Sequence, residues 1–292
     1  MNADDIKQGL RQHGYIADDS TAMILLYSLL LNKPLLIEGP AGAGKTELAK
    51  AWSQDLDREL IRLQCYEGID ESKALYEWDY QKQLLYIQTK GPGTNEWSDT
   101  SENIYTNEFL LKRPLLKAIT GETSSVLLID EIDKSDEEFE SFLLEILSDW
   151  QISIPEIGTI PAVSIPSVLL TSNSTRNLSQ ALRRRCLYLH LDYPNEQREL
   201  EILQIHFPNL KESLGKQAVT FIRKLRLEKF KKHPSISEVI DWVNILEQLQ
   251  VEELTAEVAS STLNILFKYQ DDCQHVLEKV NQKDWFDGIL HS

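Results

Sequence analysis

Cysteine is scarce in this chain. Three in 292 residues, Cys65, Cys186 and Cys273, stand far apart with no C-x-x-C spacing, which fits reduced thiols and gives no support to a disulfide frame or a thiolate metal site. The six histidines form no H-x-x-x-H or other ligand pattern. Long apolar runs are absent too. The longest, Met23 to Leu31, is too short to span a bilayer. Met1 to Asp5 is acidic where a signal peptide would be basic, so a cytoplasmic protein without membrane contact is expected. Excess basic charge is also lacking: 46 acidic against 30 basic residues give a formal net charge of −16. A nucleic-acid motor needs a basic stripe to displace counterions, so this balance argues against direct DNA or RNA binding while favouring solubility. There is no internal repeat and no low-complexity segment. What remains is a chain with 42% hydrophobic residues, enough for packed cores in two domains or in one large domain with an appendage.

Against these absences stands one strong pattern. Gly39, Pro40, Ala41, Gly42, Ala43, Gly44, Lys45 and Thr46 satisfy G-x-x-x-x-G-K-[ST], the phosphate-binding loop. The apolar run Pro34–Glu38 before it reads as a buried strand, and Thr46–Trp52 after it reads as a helix. Glycines let backbone N–H groups turn inward around a polyphosphate, and the helix N-terminus adds a positive dipole end. These eight residues, with Glu47 next to them, are the expected nucleotide-binding set; Lys45 reaches the outer phosphates and the Thr46 hydroxyl binds Mg²⁺.

The rest of the chain predicts strands alternating with helices. Two helical patterns within residues 3–32 flank Gly14–Ala17, and Glu59–Gln64 alternates as a second strand. Residues 73–90 read as helical or partly hairpin-like, Lys90–Ser101 as a mobile loop rich in turn formers, and 107–120 as helical again. Ser125–Asp130 is a buried strand. It is followed by a helix with a capping box at Ser135 and Glu138 and an apolar face of Phe139, Phe142, Leu143 and Ile146. Gln151–Pro155 and Thr159–Ser164 form a hairpin; Ser167–Thr171 and Cys186–His190 are two more strands. From Asn195 only helical periodicity is present, including a helix with a capping box at Ser235 and Glu238 and a stripe of Val239, Trp242, Val243, Leu246 and Leu249. The expectation is an α/β domain over residues 1–192, with a parallel five-stranded sheet flanked by helices, and a smaller all-α domain over 193–292.

Phosphoryl transfer needs a metal, an oriented nucleophile and charge neutralisation. Asp130 and Glu131 end a buried strand, where a doubly wound sheet places its ligand. Asp130 is expected to hold Mg²⁺ through water and Glu131 to polarise the attacking water. Asn173 follows the next buried strand, where a neutral amide can hydrogen-bond the γ-phosphate or the water. Arg183, Arg184 and Arg185 precede the last strand. One can serve as an arginine finger in a neighbouring subunit's site, with Arg185 favoured and Arg184 second; a basic patch for a partner is the alternative.

The ordered set of phosphate loop, Ile-Asp-Glu-Ile-Asp133, Thr-Ser-Asn173, Arg-Arg-Arg185 and a helical C-terminal domain resembles an AAA+ ATPase of the MoxR family across essentially the whole chain. The resemblance implies a helix-2 insertion between Lys45 and Asp130, a pre-sensor-1 hairpin near 151–164, ATP and Mg²⁺ as cofactors, and a hexameric ring. Leu63–Gly68, Ala74–Trp78 with Gln81–Leu85, and Ala181–Cys186 look like the CoxD-type accessory ATPase of carbon monoxide dehydrogenase clusters. That branch implies chaperone-like maturation of a metalloenzyme client, such as a molybdenum hydroxylase, with a von Willebrand factor A domain protein as partner. One departure stands out: where the family carries a sensor-2 arginine, this chain has Glu238, so either a nearby base such as Lys232 substitutes or the helical domain senses nucleotide differently, and sensor 2 stays unassigned. A nucleic-acid-associated motor or clamp-loader-like ATPase is the alternative from another class, and a nucleotide-gated scaffold with negligible turnover is a third; Asp130 and Glu131 argue against the scaffold.

Overall fold

The computed structural model describes residues 1–89, 104–280, 282, 285 and 286; the loop expected at 90–101 lies outside the described residues. The chain divides into two compact units. The first comprises Met1–Gly9, Asp18–Gly39 and Lys45–His190; the second comprises Leu10–Ala17, Pro40–Gly44 and Leu191–Ser292.

The first unit is built on a five-stranded parallel sheet of β1 (Leu35–Glu38), β2 (Leu60–Gln64), β5 (Val126–Asp130), β8 (Ser167–Ser172) and β9 (Leu187–His190). Their order in space is β2-β5-β8-β1-β9, with every pairing parallel. Burial explains the sequence patterns. The three central strands are buried throughout, as continuous apolar runs require, whereas the edge strand β2 alternates buried with exposed residues. Strand β1 lies at the switch point: β8, β5 and β2 extend to one side of it and β9 to the other, so the carboxyl end of β1 opens where ligands bind in such sheets. Helices Lys45–Asp55 and Pro114–Thr120 cover the sheet with buried faces that include Leu48, Trp52, Leu115 and Ile119.

Several local expectations need correction. Residues 107–120 are not one helix. A short 3₁₀ turn leads into β4 (Leu110–Lys112), which pairs antiparallel with β3 (Tyr76–Trp78). Pro114 then opens the helix Pro114–Thr120, and a residue before proline is driven to extended backbone, as Arg113 shows with ψ 174°. Residues 73–89 are helical at both ends, Glu71–Ala74 and Tyr80–Thr89, around β3, whose partner is the distant β4 and not a local hairpin strand. The helix Glu137–Asp149 is capped by Asp136, whose side chain accepts from the Phe139 N–H, and not by Ser135, whose hydroxyl donates to the Ile132 carbonyl. The hairpin forms from β6 (Gln151–Ile154) and β7 (Gly158–Pro161).

The C-terminal part of the second unit is helical: Glu196–His206, Glu212–Arg226, Ile236–Gln248, Ala256–Leu266 and Gln270–Val280. Its core centres on Trp242, packed 5.4 Å from the Phe221 ring centroid and donating from Nε1 to Thr262 Oγ1 at 2.7 Å. Val239, Val243 and Leu246 are buried with it, but Leu249 is 62% exposed because the helix has already ended.

Candidate functional site

The site is assembled at the carboxyl ends of β1, β5 and β8. Gly39 leaves β1 and donates its N–H to the Ser172 carbonyl at 3.3 Å. Lys45, at the start of its helix, is only 6% exposed. Its ammonium donates to the Gly39 carbonyl at 2.7 Å and to Asn173 Oδ1 at 2.8 Å. Burial lowers its pKa, while Asp133, Asp130 and Glu131 push it back up.

Thr46 turns its hydroxyl to Asp130, 3.2 and 3.3 Å from the two carboxylate oxygens. Asp130 is 2% exposed and also accepts from the Thr171 hydroxyl and from Arg62. Glu131 has φ +57°, a left-handed conformation costly for a non-glycine residue, and its N–H is held by Thr171 Oγ1 at 2.9 Å. Its carboxylate accepts from Gln64 Nε2 at 2.8 Å, from Lys134 Nζ at 2.5 Å and from Asn173 Nδ2 at 3.4 Å. Asn173 therefore joins Lys45 to Glu131. Its own N–H is pinned by Asp133 at 3.2 Å, and the following Ser174 is also left-handed at φ +58°.

Lys45, Thr46, Asp130, Glu131 and Asn173 are thus brought together. The arginine triplet, on helix Gln180–Arg185, is divided. Arg183 forms a two-pronged ion pair with Glu38, at 2.6 and 3.3 Å, directly before the glycine loop. Arg184 and Arg185 are exposed and make no ion pair among the described residues. Glu47 lies on the helix surface, paired with Lys50 at 2.6 Å. Sequence reasoning missed Arg62, Gln64, Thr171 and Asp133 as members of this constellation. The alternation of β2, which places Arg62 and Gln64 together on one face, was the available signal.

Within the second unit, the loop apex Pro40–Gly44 is held by its carbonyls. Ala41 accepts from Tyr193 Oη at 3.1 Å and Gly42 from the Ile236 N–H at 3.4 Å. Gly42 has φ +79°, and an added Cβ would lie 2.1 Å from Ser235 Cβ, so only glycine fits. Gly44, at φ +94°, needs the same freedom. Glu238 is occupied by its capping box, accepting from the Ser235 N–H at 2.8 Å, and Lys232 is paired with Glu238 at 3.0 Å.

The donors fit Mg²⁺. The Thr46 hydroxyl and the Asp130 carboxylate are hard oxygen ligands, and no cluster of three or more His, Cys, Asp or Glu side chains able to hold a metal occurs among the described residues. Mg²⁺ sites of this kind use one or two protein oxygens and complete their shell with water and substrate phosphates.

The model for the AAA domain (dynein-related subfamily) matches residues 34–186, from the start of β1 through the arginine triplet. The chain belongs to this AAA family. It is a P-loop AAA+ fold with a C-terminal helical region, and the family is one of nucleotide-hydrolysing ATPases that commonly form rings. Uncharacterized proteins of Staphylococcus aureus, from strains bovine RF122 / ET3-1 and USA300, are each 29% identical to this AAA chain over 170 residues, 56% of the chain and 57% of the relative. The chain thus spans little more than half the length of the curated relatives it matches. Two point mutants of Thermotoga maritima RuvB are similar in structure, at TM-scores of 0.48 and 0.49 and identities of 17% and 16%. They cover 90% and 91% of this chain and 69% and 71% of their own. No helix among the described residues is long and apolar enough to cross a membrane.

Proposed function

We propose that this AAA protein is a Mg²⁺-dependent ATPase of MoxR type that works as a ring, most simply a hexamer, and remodels a protein client. The observation that carries the reading is Asn173 bridging the phosphate-loop lysine and the carboxylate after β5. Lys45 binds the outer phosphates. Thr46 and Asp130 hold Mg²⁺, which when bound neutralises developing charge on the phosphates. Glu131, fixed by Gln64, Lys134 and Asn173, accepts a hydrogen bond from the attacking water and orients it. Arg184 and Arg185 are exposed and available to a neighbouring protomer, because among the described residues Arg183 alone of the triplet is tied down locally. The heterologous contact this requires closes into a ring. Metalloenzyme maturation, with a von Willebrand factor A domain protein as partner, rests on the CoxD-like segments alone.

Glu131→Gln is the test. Nucleotide affinity stays within about twofold while turnover falls about 10²- to 10⁴-fold, the usual worth of a positioned general base; ordinary turnover in that variant removes Glu131 from its role. Mixing Arg185→Ala with Lys45→Ala subunits checks action between subunits. Activity above that of either variant alone supports it, and none removes its main support. Salt-sensitive stimulation of the ATPase by DNA or RNA would transfer the protein to the nucleic-acid class.

A further inference from the structure

Strand β2 turns Ile61 and Leu63 into the core and leaves Arg62 and Gln64 on the opposite face. In register with β5, Gln64 lies beside Asp130 and Arg62 beside Leu128, so the Arg62 side chain must reach forward along the strand to meet the carboxylate. It does so twice, from Nε at 3.1 Å and from Nη2 at 2.5 Å, both to Oδ2. The same Nη2 donates to Gln64 Oε1 at 2.6 Å, which fixes the plane of the guanidinium. On the other side, Oδ1 accepts from Thr171, and Thr46 lies within 3.3 Å of both oxygens. The carboxylate is almost fully buried, while the arginine side chain is half exposed. Asp130 is therefore already charge-paired by a group of its own fold. The other cations of the site have different partners: Lys45 holds Gly39 and Asn173, Lys134 holds Glu131, and Arg183 holds Glu38.

A carboxylate that shares its charge with a fixed guanidinium offers less to a second cation, and the guanidinium repels a divalent ion brought to the same oxygens. We infer that Arg62 is a positioning residue that competes with the divalent cation for Asp130, so that the cation is held well only together with a nucleotide whose phosphates add oxygen ligands and negative charge. The inference rests on the proposed role of Asp130 as the metal-holding carboxylate. It makes metal and nucleotide entry a coupled event, with Arg62 guarding Asp130 until both are present.

Mn²⁺, titrated into the full chain with and without ADP and followed by electron paramagnetic resonance, reads this directly. Arg62→Gln keeps a hydrogen-bond donor without the charge. Without nucleotide it is expected to bind Mn²⁺ about tenfold more tightly than the parent, the usual worth of a hydrogen bond to a charged group. The gain should shrink once ADP is present. Arg62→Lys keeps the charge but loses the planar two-donor grip, and a gain of about threefold is expected. Unchanged or weaker Mn²⁺ binding in Arg62→Gln, with native circular dichroism and unaltered ADP affinity in EDTA, overturns the competition. Should Arg62→Gln lose its native fold, unchanged binding in Arg62→Lys overturns it equally. Asp130→Asn separates this from the site reading. If Asp130→Asn weakens Mn²⁺ binding while the Arg62 variants leave it alone, only the competition fails. If Asp130→Asn leaves Mn²⁺ binding with ADP untouched, the metal role of Asp130 fails with it.

Discussion

Two clusters of charged residues in this molecule follow opposite designs. At the carboxyl ends of β1, β5 and β8, side chains converge on one another around backbone held in left-handed conformations at Glu131 and Ser174. At the start of the helix Ile236–Gln248 the polar groups close on themselves. Ser235 and Glu238 satisfy each other's backbone N–H groups, and Lys232 neutralises Glu238. The first arrangement carries strain and a buried lysine with a lowered pKa, features that accumulate where a site serves a ligand. The second serves the helix. Glu238, at the position where the MoxR resemblance places a sensor-2 arginine, is thus taken up by a helix cap.

The largest effect that sharpens the contrast is expected at Asn173. Asn173→Ala removes the bridge between Lys45 and Glu131 and should lower turnover about 10²- to 10³-fold, comparable to loss of one preorganised donor. Glu238→Ala should leave turnover within about twofold, a change too small to reflect the loss of any such preorganised group. Steady-state phosphate release on both variants decides the matter, and a large loss in Glu238→Ala would break the comparison. A smaller effect is expected at Arg183. Its pair with Glu38 is partly screened by solvent on the arginine side, where the side chain is 37% exposed, so Arg183→Ala should cost about 1–2 kcal/mol in urea denaturation, less than a fully buried pair. Arg185→Ala, exposed and without an ion pair among the described residues, should change stability by less than about 0.5 kcal/mol. Equal stability losses in the two would mean that the triplet is not divided. Between these two lies the capping box itself: Glu238→Ala should cost about 1 kcal/mol of stability.

Much of this was legible because the decisive residues carry their signal locally. The phosphate loop between a strand and a helix, and Asp130 and Glu131 at the end of an unbroken apolar run, need no knowledge of distant partners. Arg62, Gln64 and Thr171 do. Their roles depend on β2 and β8 lying on either side of β5, a register set by segments separated by tens of residues. Leu110–Lys112 read as helical because its spacing fits one, and only pairing with the distant Tyr76–Trp78 makes it a strand. The choice between Ser135 and Asp136 as cap was undecidable from composition, since both lie just before the helix. The turn Ile132–Lys134 takes the Ser135 hydroxyl and leaves the cap to Asp136.

The finest comparison sets Asp133, beside the site, against Glu238 in the cap. Burial raises both pKa values, but hydrogen bonds outweigh it: from the Thr175 hydroxyl and backbone and the Asn173 N–H at Asp133, and from the Ser235 backbone with Lys232 at Glu238. Both carboxylates therefore titrate below their ordinary values of 3.8 and 4.5. A depressed folded pKa gives stability that is fully present above the unfolded value and is lost as pH falls through the folded one. Stability should hold from neutral pH down to the ordinary carboxylate range and decline below it. Asp133→Asn and Glu238→Gln should each flatten that decline. Urea midpoints between neutral pH and the acid range test this. An acid slope unchanged in both variants would mean that other carboxylates drive acid unfolding, and that neither hydrogen-bond cluster contributes through its charge.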